Sequence, residues 1–157
     1  MKVQLTPEQQ CRADKLARMT PREWDAICKR CGICCLTKIG VCLVDDMSGL
    51  IADRETAYLK QCCDKFDPIG HRCTVYQSRV DGRRNCEKVT MDIILDGELL
   101  PASCGYVEYI FGPARHPARV DFNLVRPIAD GEFEKMSQDE IQQDIIPESI
   151  LWNKRIR

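Results

Sequence analysis

Trp24-Asp25-Ala26-Ile27-Cys28-Lys29-Arg30-Cys31-Gly32-Ile33-Cys34-Cys35 puts four cysteines into eight consecutive positions, 28 to 35. Cys28, Cys31 and Cys34 are each separated by two residues, and Cys35 follows directly. Two intervening residues let a pair of thiolates turn toward a common ion while the loop's N–H groups face the sulfurs. Buried thiols acting only as small apolar groups have no need of such regular spacing. Successive side chains diverge, so one of Cys34 and Cys35 is expected to join Cys28 and Cys31. The other then faces a second site or the core.

Outward from that stretch, the chain holds 11 cysteines in 157 residues but only two histidines, His71 and His116. The odd cysteine count argues against a disulfide framework. The opening Met1-Lys2-Val3-Gln4-Leu5-Thr6-Pro7-Glu8 has no apolar signal-peptide core. A cytoplasmic protein is expected, with its clustered thiols serving as metal ligands or redox groups. Lys plus Arg number 23 and Asp plus Glu 24, a net charge of −1. That balance excludes a global electrostatic grip on nucleic acid. The longest uncharged stretch, 99–107, is nine residues, too short for a membrane-spanning helix.

Upstream of the motif, Thr6-Pro7-Glu8-Gln9 and Thr20-Pro21-Arg22-Glu23 each place Thr at N-cap, Pro at the first helical position and Gln or Glu at N3. They predict a helix over about 7–19, with Leu16 and Met19 on its apolar stripe. A second, over about 21–27, delivers the chain to Cys28 with Trp24 and Ile27 on one face. Downstream, residues 39–52 read as a hairpin. Ile39, Val41 and Leu43 alternate, Asp45-Asp46-Met47-Ser48-Gly49 turns, and Leu50-Ile51-Ala52 resumes. Residues 64–85, broken by Pro68, Gly70 and Gly82, read as loop held by its cysteines. Thr90 caps a helix over 91–95 that Asp96-Gly97 ends. Ser103 caps another, with Tyr106, Val107, Ile110 and Phe111 apolar and Gly112-Pro113 as its stop. Val120, Phe122 and Leu124 alternate as a strand over 120–125. Ser137-Gln138-Asp139-Glu140 is a third capping box, opening a helix to about residue 145 before Pro147. A last amphipathic turn falls within 148–156.

The expected fold is a small single α+β domain: helices, a short hairpin and long irregular loops organised around cysteine-ligated metal. It divides into an N-terminal helix (1–19), a cysteine-cluster metal-binding core (20–117) and a strand and helix extension (118–157) packed on the core. The basic groups Arg79, Arg83 and Arg84, and Lys154, Arg155 and Arg157, read as solvated faces.

The Cys28–Cys31–Cys34 run resembles the C-x-x-C-x-x-C tripod of bacterial ferredoxins, although no Cys-Pro follows at the usual distance. A zinc knuckle uses the same geometry. Both readings stay open on spacing alone, with a [4Fe–4S] cluster favoured by the tripod and Zn²⁺ as the alternative. Distal sulfurs are needed, and Cys62, Cys63, Cys73, Cys86 and Cys104 are available.

The stretch 24–35 also resembles the W-x-x-x-C-x-x-C-G-x-C-C signature of the bacterial YcgN/YkgJ-type cysteine-cluster family, whose description is that of a zinc- or iron-chelating domain. Cys62 sits where that family has a cysteine, Cys73-Thr74-Val75-Tyr76 is similar to its C-x-x-Y, and Cys86 follows. Leu100-Pro101-Ala102-Ser103-Cys104-Gly105-Tyr106 is similar to its L-P-x-(S/T)-C-x-Y, His116-Pro117 to a His-Pro pair, and Ile150-Leu151-Trp152-Asn153-Lys154 to its ending. The resemblance implies a cofactor- and metal-binding set of Cys28, Cys31, Cys34, Cys35, Cys62, Cys73, Cys86 and Cys104, with Cys63 and His116 as secondary candidates. Cys11 and Cys42 fall outside it. A flagellin lysine methylase carries a similar cluster, so an iron–sulfur-dependent accessory or catalytic role in a modification reaction such as methylation is one functional reading. A structural metalloprotein is another, and a zinc-ribbon-like adaptor for nucleic acid or a protein partner, least supported by the charge balance, is a third. No nucleophile elbow, phosphate-binding loop, dinucleotide fingerprint or H-E-x-x-H motif occurs. Any catalysis would therefore come from the cluster.

Overall fold

In a computed structural model the described residues are 3–44, 51–78, 86–96 and 99–152. The expected turn at Asp45 to Gly49, Leu50, Gly82, Gly97, Asn153 and both basic groups lie outside them.

Three helices start where their capping boxes are written. In α1 (Pro7–Ala17) the Thr6 hydroxyl accepts from the Gln9 N–H at 3.2 Å and the Thr6 N–H donates to Gln9 Oε1 at 3.0 Å. Thr20 and Glu23 open α2 (Pro21–Ile27), and Ser137 and Glu140 open α5 (Gln138–Asp144), in the same reciprocal way. Between them lie α3 (Met91–Asp96) and α4 (Gly105–Phe111), the latter stopped by Gly112 at φ 87°. The N-cap of α4 is Cys104, one residue later than expected. Ser103 turns aside, its hydroxyl accepting from the Ala118 N–H at 3.0 Å.

The hairpin is present and longer than its alternation indicated: β1 (Leu36–Val44) pairs antiparallel with β2 (Ile51–Cys63). Its register breaks between Leu36↔Cys62 and Lys38↔Tyr58, where β2 advances four residues against two on β1. Such a bulge re-aims side chains and bends the strand. Two short strands, β3 (Phe66–Asp67) and β4 (Arg72–Cys73), form a small hairpin inside the segment expected to be loop. Its turn is closed by Asp67 Oδ1, which accepts from the N–H groups of Ile69 and Gly70 at 3.0 and 2.9 Å.

The expected strand over 120–125 is a 3₁₀ turn at Phe122–Leu124. Asp121 is the reason: its carboxylate accepts from the Asn123 N–H at 3.0 Å and bends the chain out of extension. The true strand, β5 (Arg126–Ile128), begins two residues beyond that turn. It pairs parallel with the end of β2, giving the order β1-β2-β5.

Two apolar cores result. A helical one gathers Ala13 and Leu16 of α1, Ile94 of α3, Leu100, and Tyr106, Val107 and Ile110 of α4. A sheet-side one gathers Ile33, Leu36, Tyr58, Cys62, Phe66, Phe122, Val125, Ile146 and Trp152. Residues 28–35 run between them, with Cys28 packed on the first and Cys35 on the second. No helix among the described residues is long and apolar enough to cross a membrane.

Candidate functional site

Cys28 ends α2 in extended backbone, φ −62° and ψ 120°. The residues flanking Cys31, Arg30 at φ 52° and Gly32 at φ 76°, both occupy the left-handed region. For Arg30 that conformation costs roughly 1–2 kcal/mol. The double reversal folds the segment back on itself, and Ile33 to Cys35 then close a 3₁₀ turn. Burial raises the Cys31 thiol above its usual range. The Ile33 N–H, aimed at its sulfur, opposes that rise, while Cys34 and Cys28 add to it.

Cys104 comes from far along the chain to the same place. Its thiol is pushed up to about 11, first by burial, against the N–H groups of Tyr106 and Val107 and with Cys34 and Cys31 adding to the rise. The approach depends on Gly105, where a Cβ would overlap the carbonyl oxygen of Ile27 at the end of α2. An ion pair between Lys29 Nζ and Glu108 Oε2 at 2.6 Å ties the loop to α4. Aromatic rings flank this thiol group. Trp24 lies 5.1 Å from Tyr106, and the Tyr76 hydroxyl donates to Asp25 at 3.3 Å. Burial, followed by Cys28, Tyr76, Asp25 and Cys104, pushes the Tyr106 hydroxyl upward.

A second group faces the sheet side. The Cys35 thiol is held in its protonated form by donating to the Cys34 sulfur, then by burial and by the charges of Cys34 and Cys73, with Lys38 acting the other way. Cys73 sits opposite Phe66 in the β3–β4 hairpin. That hairpin is brought in by Gly32, where a Cβ would overlap the tip of the Phe66 ring. Cys86 reaches the group through Lys38, whose charge it influences together with Cys34 and Cys35. Cys62 is fully buried in the sheet-side core against which Cys35 packs, its thiol pushed up to about 11 by burial and then by Cys63. Its neighbour on the strand turns the other way: the Cys63 sulfur, half-buried, accepts from the Lys65 N–H at 3.4 Å.

Of the eight cysteines implied by resemblance, Cys28, Cys31, Cys34 and Cys104 thus adjoin one another, Cys34 also meets Cys35, which faces Cys73, Cys86 joins through Lys38, and Cys62 stands beside Cys63 in the sheet-side core. Among the described residues, no three His, Cys, Asp or Glu side chains stand in ready ligand geometry around one point. His116 is half-buried in the irregular stretch after α4. His71 is exposed, its ring edge-on to Phe122 at 4.6 Å. Cys11 and Cys42 are exposed. Sequence reasoning missed Gly32, Gly105 and Lys38. Both glycines directly follow a cysteine, and that repeated Cys-Gly pair was the available signal.

Fold and site define a small α+β protein whose cysteines, Cys31 and Cys34 exposed, Cys62 buried and the rest of the set partly buried, gather about the 28–35 loop. The chain belongs to the UPF0260 family. It is 35% identical over 141 residues to a UPF0260 protein of Shewanella pealeana, covering 87% of this chain and 90% of that one. A UPF0260 protein of Shewanella sediminis is 34% identical over 105 residues, of whose length the chain covers 66%. Another, of Marinobacter nauticus, is 34% identical over 108 residues, 67% of each chain. The family's name carries no activity. No protein-family model matches the chain, and no solved structure does.

Proposed function

We propose that this protein binds metal through two four-sulfur sets, Cys28, Cys31, Cys34 and Cys104 on one side and Cys35, Cys62, Cys73 and Cys86 on the other. The observation that carries the reading is the convergence of sulfurs from distant stretches, 28–34 and 104, where Cys34 adds to the rise of both the Cys31 and the Cys104 thiols. Thiolates gathered away from water repel one another, and a soft cation offsets that repulsion. The donor set suits iron–sulfur or zinc and disfavours an oxygen-seeking ion such as Mg²⁺. The left-handed backbone at Arg30 and the Ile33 N–H directed at Cys31 fit the same purpose, since strain and sulfur-directed donors concentrate at such sites.

The tripod spacing and the resemblance to the YcgN/YkgJ-type family favour a [4Fe–4S] cluster, with Zn²⁺ the alternative. When bound, the group contributes folding energy and, if iron–sulfur, electron-transfer chemistry. The chain's own residues hold the thiols in register, exclude water with Trp24, Tyr106 and Phe66, and direct N–H groups at the sulfurs. A redox-active cluster would make the protein an accessory or catalytic subunit of a modification reaction in the cytoplasm.

Anaerobic purification followed by metal analysis and an absorption spectrum tests the proposal. Iron with sulfide and a near-ultraviolet-to-visible band is the expected result, and a colourless zinc protein selects the alternative. Cys31→Ser and Cys34→Ser are expected to lose metal and soluble protein together, and full metal content in both overturns the reading.

A further inference from the structure

Lys38 lies between the two thiol groups, and nothing in the proposed ligand set accounts for it. The residue stands at the start of β1 just past the register break, opposite Tyr58. Its ammonium donates to the carbonyl of Cys34 at 2.8 Å and of Leu36 at 3.2 Å, so the peptide carrying Cys35 is bracketed by one cation. The same ammonium lies 5.5 Å from the centroid of the buried Tyr58 ring, a cation–π contact that fixes it from below. Cys34, Cys35 and Cys86 are its electrostatic neighbours. A lysine needed only for solubility would extend its ammonium into water. This one turns inward, onto the two carbonyls that set the directions of Cys34 and Cys35.

We propose that Lys38 is the positioning and charge-compensating residue of the double thiol site. It pins the backbone on both sides of Cys35 through the Cys34 and Leu36 carbonyls and places a positive charge beside the thiols of that segment. The inference rests on the metal-binding reading above. The sign follows from charge balance. Four neutral thiols that take up one divalent cation and release four protons go from a net charge of 0 to −2. A fixed positive charge nearby favours the bound state, and its removal weakens binding.

The test is anaerobic titration of the metal-free full chain with Co²⁺ alone, read at the thiolate-to-cobalt charge-transfer band, with folding followed by circular dichroism. Lys38→Met keeps the apolar stem and is expected to bind Co²⁺ about tenfold more weakly, the factor that one pKa unit represents. Lys38→Arg, which restores the charge, is expected to recover most of that loss. Lys38→Gln keeps a donor without the charge and serves as the second variant should Lys38→Met not fold. It is expected to be as weak as Met, and wild-type affinity in it overturns the charge-compensating role. Wild-type uptake together with unchanged affinity in Lys38→Met, or failure of Arg to rescue, overturns the inference while leaving the metal reading intact. A wild-type chain that takes up no Co²⁺ overturns the inference, and the metal reading falls with it only if the anaerobically purified chain also holds neither iron nor zinc.

Discussion

The helical and sheet-side halves carry their thiols in different ways. In the helical half, Cys28 is the C-cap of α2 and Cys104 the N-cap of α4, and one close approach at Gly105 brings those helix ends together. In the sheet half, Cys35, Cys62 and Cys73 depend on a bulged hairpin, on a parallel strand that arrives more than sixty residues after its partner, and on a ring packed over Gly32. Both halves join distant segments: residues 13–16 meet 94–110 in the first, and the locally paired hairpin of the second is met by 122–152. They differ in what makes the join, helix ends in close approach on one side and a bulged sheet on the other.

The sharpest way to break that contrast is to empty the helical core. Leu16 is fully buried there, and Leu16→Ala is expected to cost about 3 kcal/mol in chemical denaturation. If residues 28–35 couple the halves, amide exchange in β1 and β2 accelerates together with that in α1. Protection that survives in β2 alone would show that the halves are independent.

The two close-approach glycines give the next largest effect. Gly105→Ala drives a side chain into the backbone oxygen of Ile27 and is expected to cost about 2 kcal/mol. Gly32→Ala meets a ring tip that has some room to shift and adds left-handed strain of roughly 1 kcal/mol. Thiol-reagent kinetics should tell them apart, with Gly105→Ala exposing Cys28 and Cys104 first and Gly32→Ala exposing Cys35 and Cys73 first. Identical patterns would dissolve the distinction between the sets.

Smaller again is the cap of α2. Thr20→Ala is expected to lower stability by about 1 kcal/mol, seen as a shift in the thermal midpoint. The smallest effect is acid sensitivity. Hydrogen bonds from Thr20 and Ser137 hold the carboxyls of Glu23 and Glu140 below their ordinary 4.5. Because folding lowers these values, their contribution is complete above pH 4.5 and is lost as pH falls through the lower folded values. The urea midpoint should therefore drop between about pH 5 and about pH 3, and less so in Glu23→Gln.

What the sequence made legible follows the same division. Thr6 with Gln9, Thr20 with Glu23 and Ser137 with Glu140 announce their helices because a capping box is complete within four residues. The α+β class was readable because these boxes stand beside the alternation Ile39–Val41–Leu43, which lies in β1. The alternation Val120–Phe122–Leu124 misled because a carboxylate at Asp121 outcompeted it locally, and the β3–β4 hairpin escaped because its strands are only two residues long. The pairing of β5 with β2 and the inward turn of Lys38 have no local signature. Each is decided by groups that meet only in the folded chain.

The packing of residues 146–152 bears on how the protein is made. Ile146 donates its N–H to the Tyr58 carbonyl at 2.9 Å, Ser149 accepts from the Tyr58 N–H at 2.8 Å, and the Trp152 carbonyl accepts from Ala102 at 2.6 Å. These contacts cover a hairpin translated some ninety residues earlier. A ribosome-bound nascent chain can complete the helical half during synthesis, but the hairpin's inner face stays uncovered until Trp152 has emerged. During that interval Cys62 is open to oxidants and to chaperones.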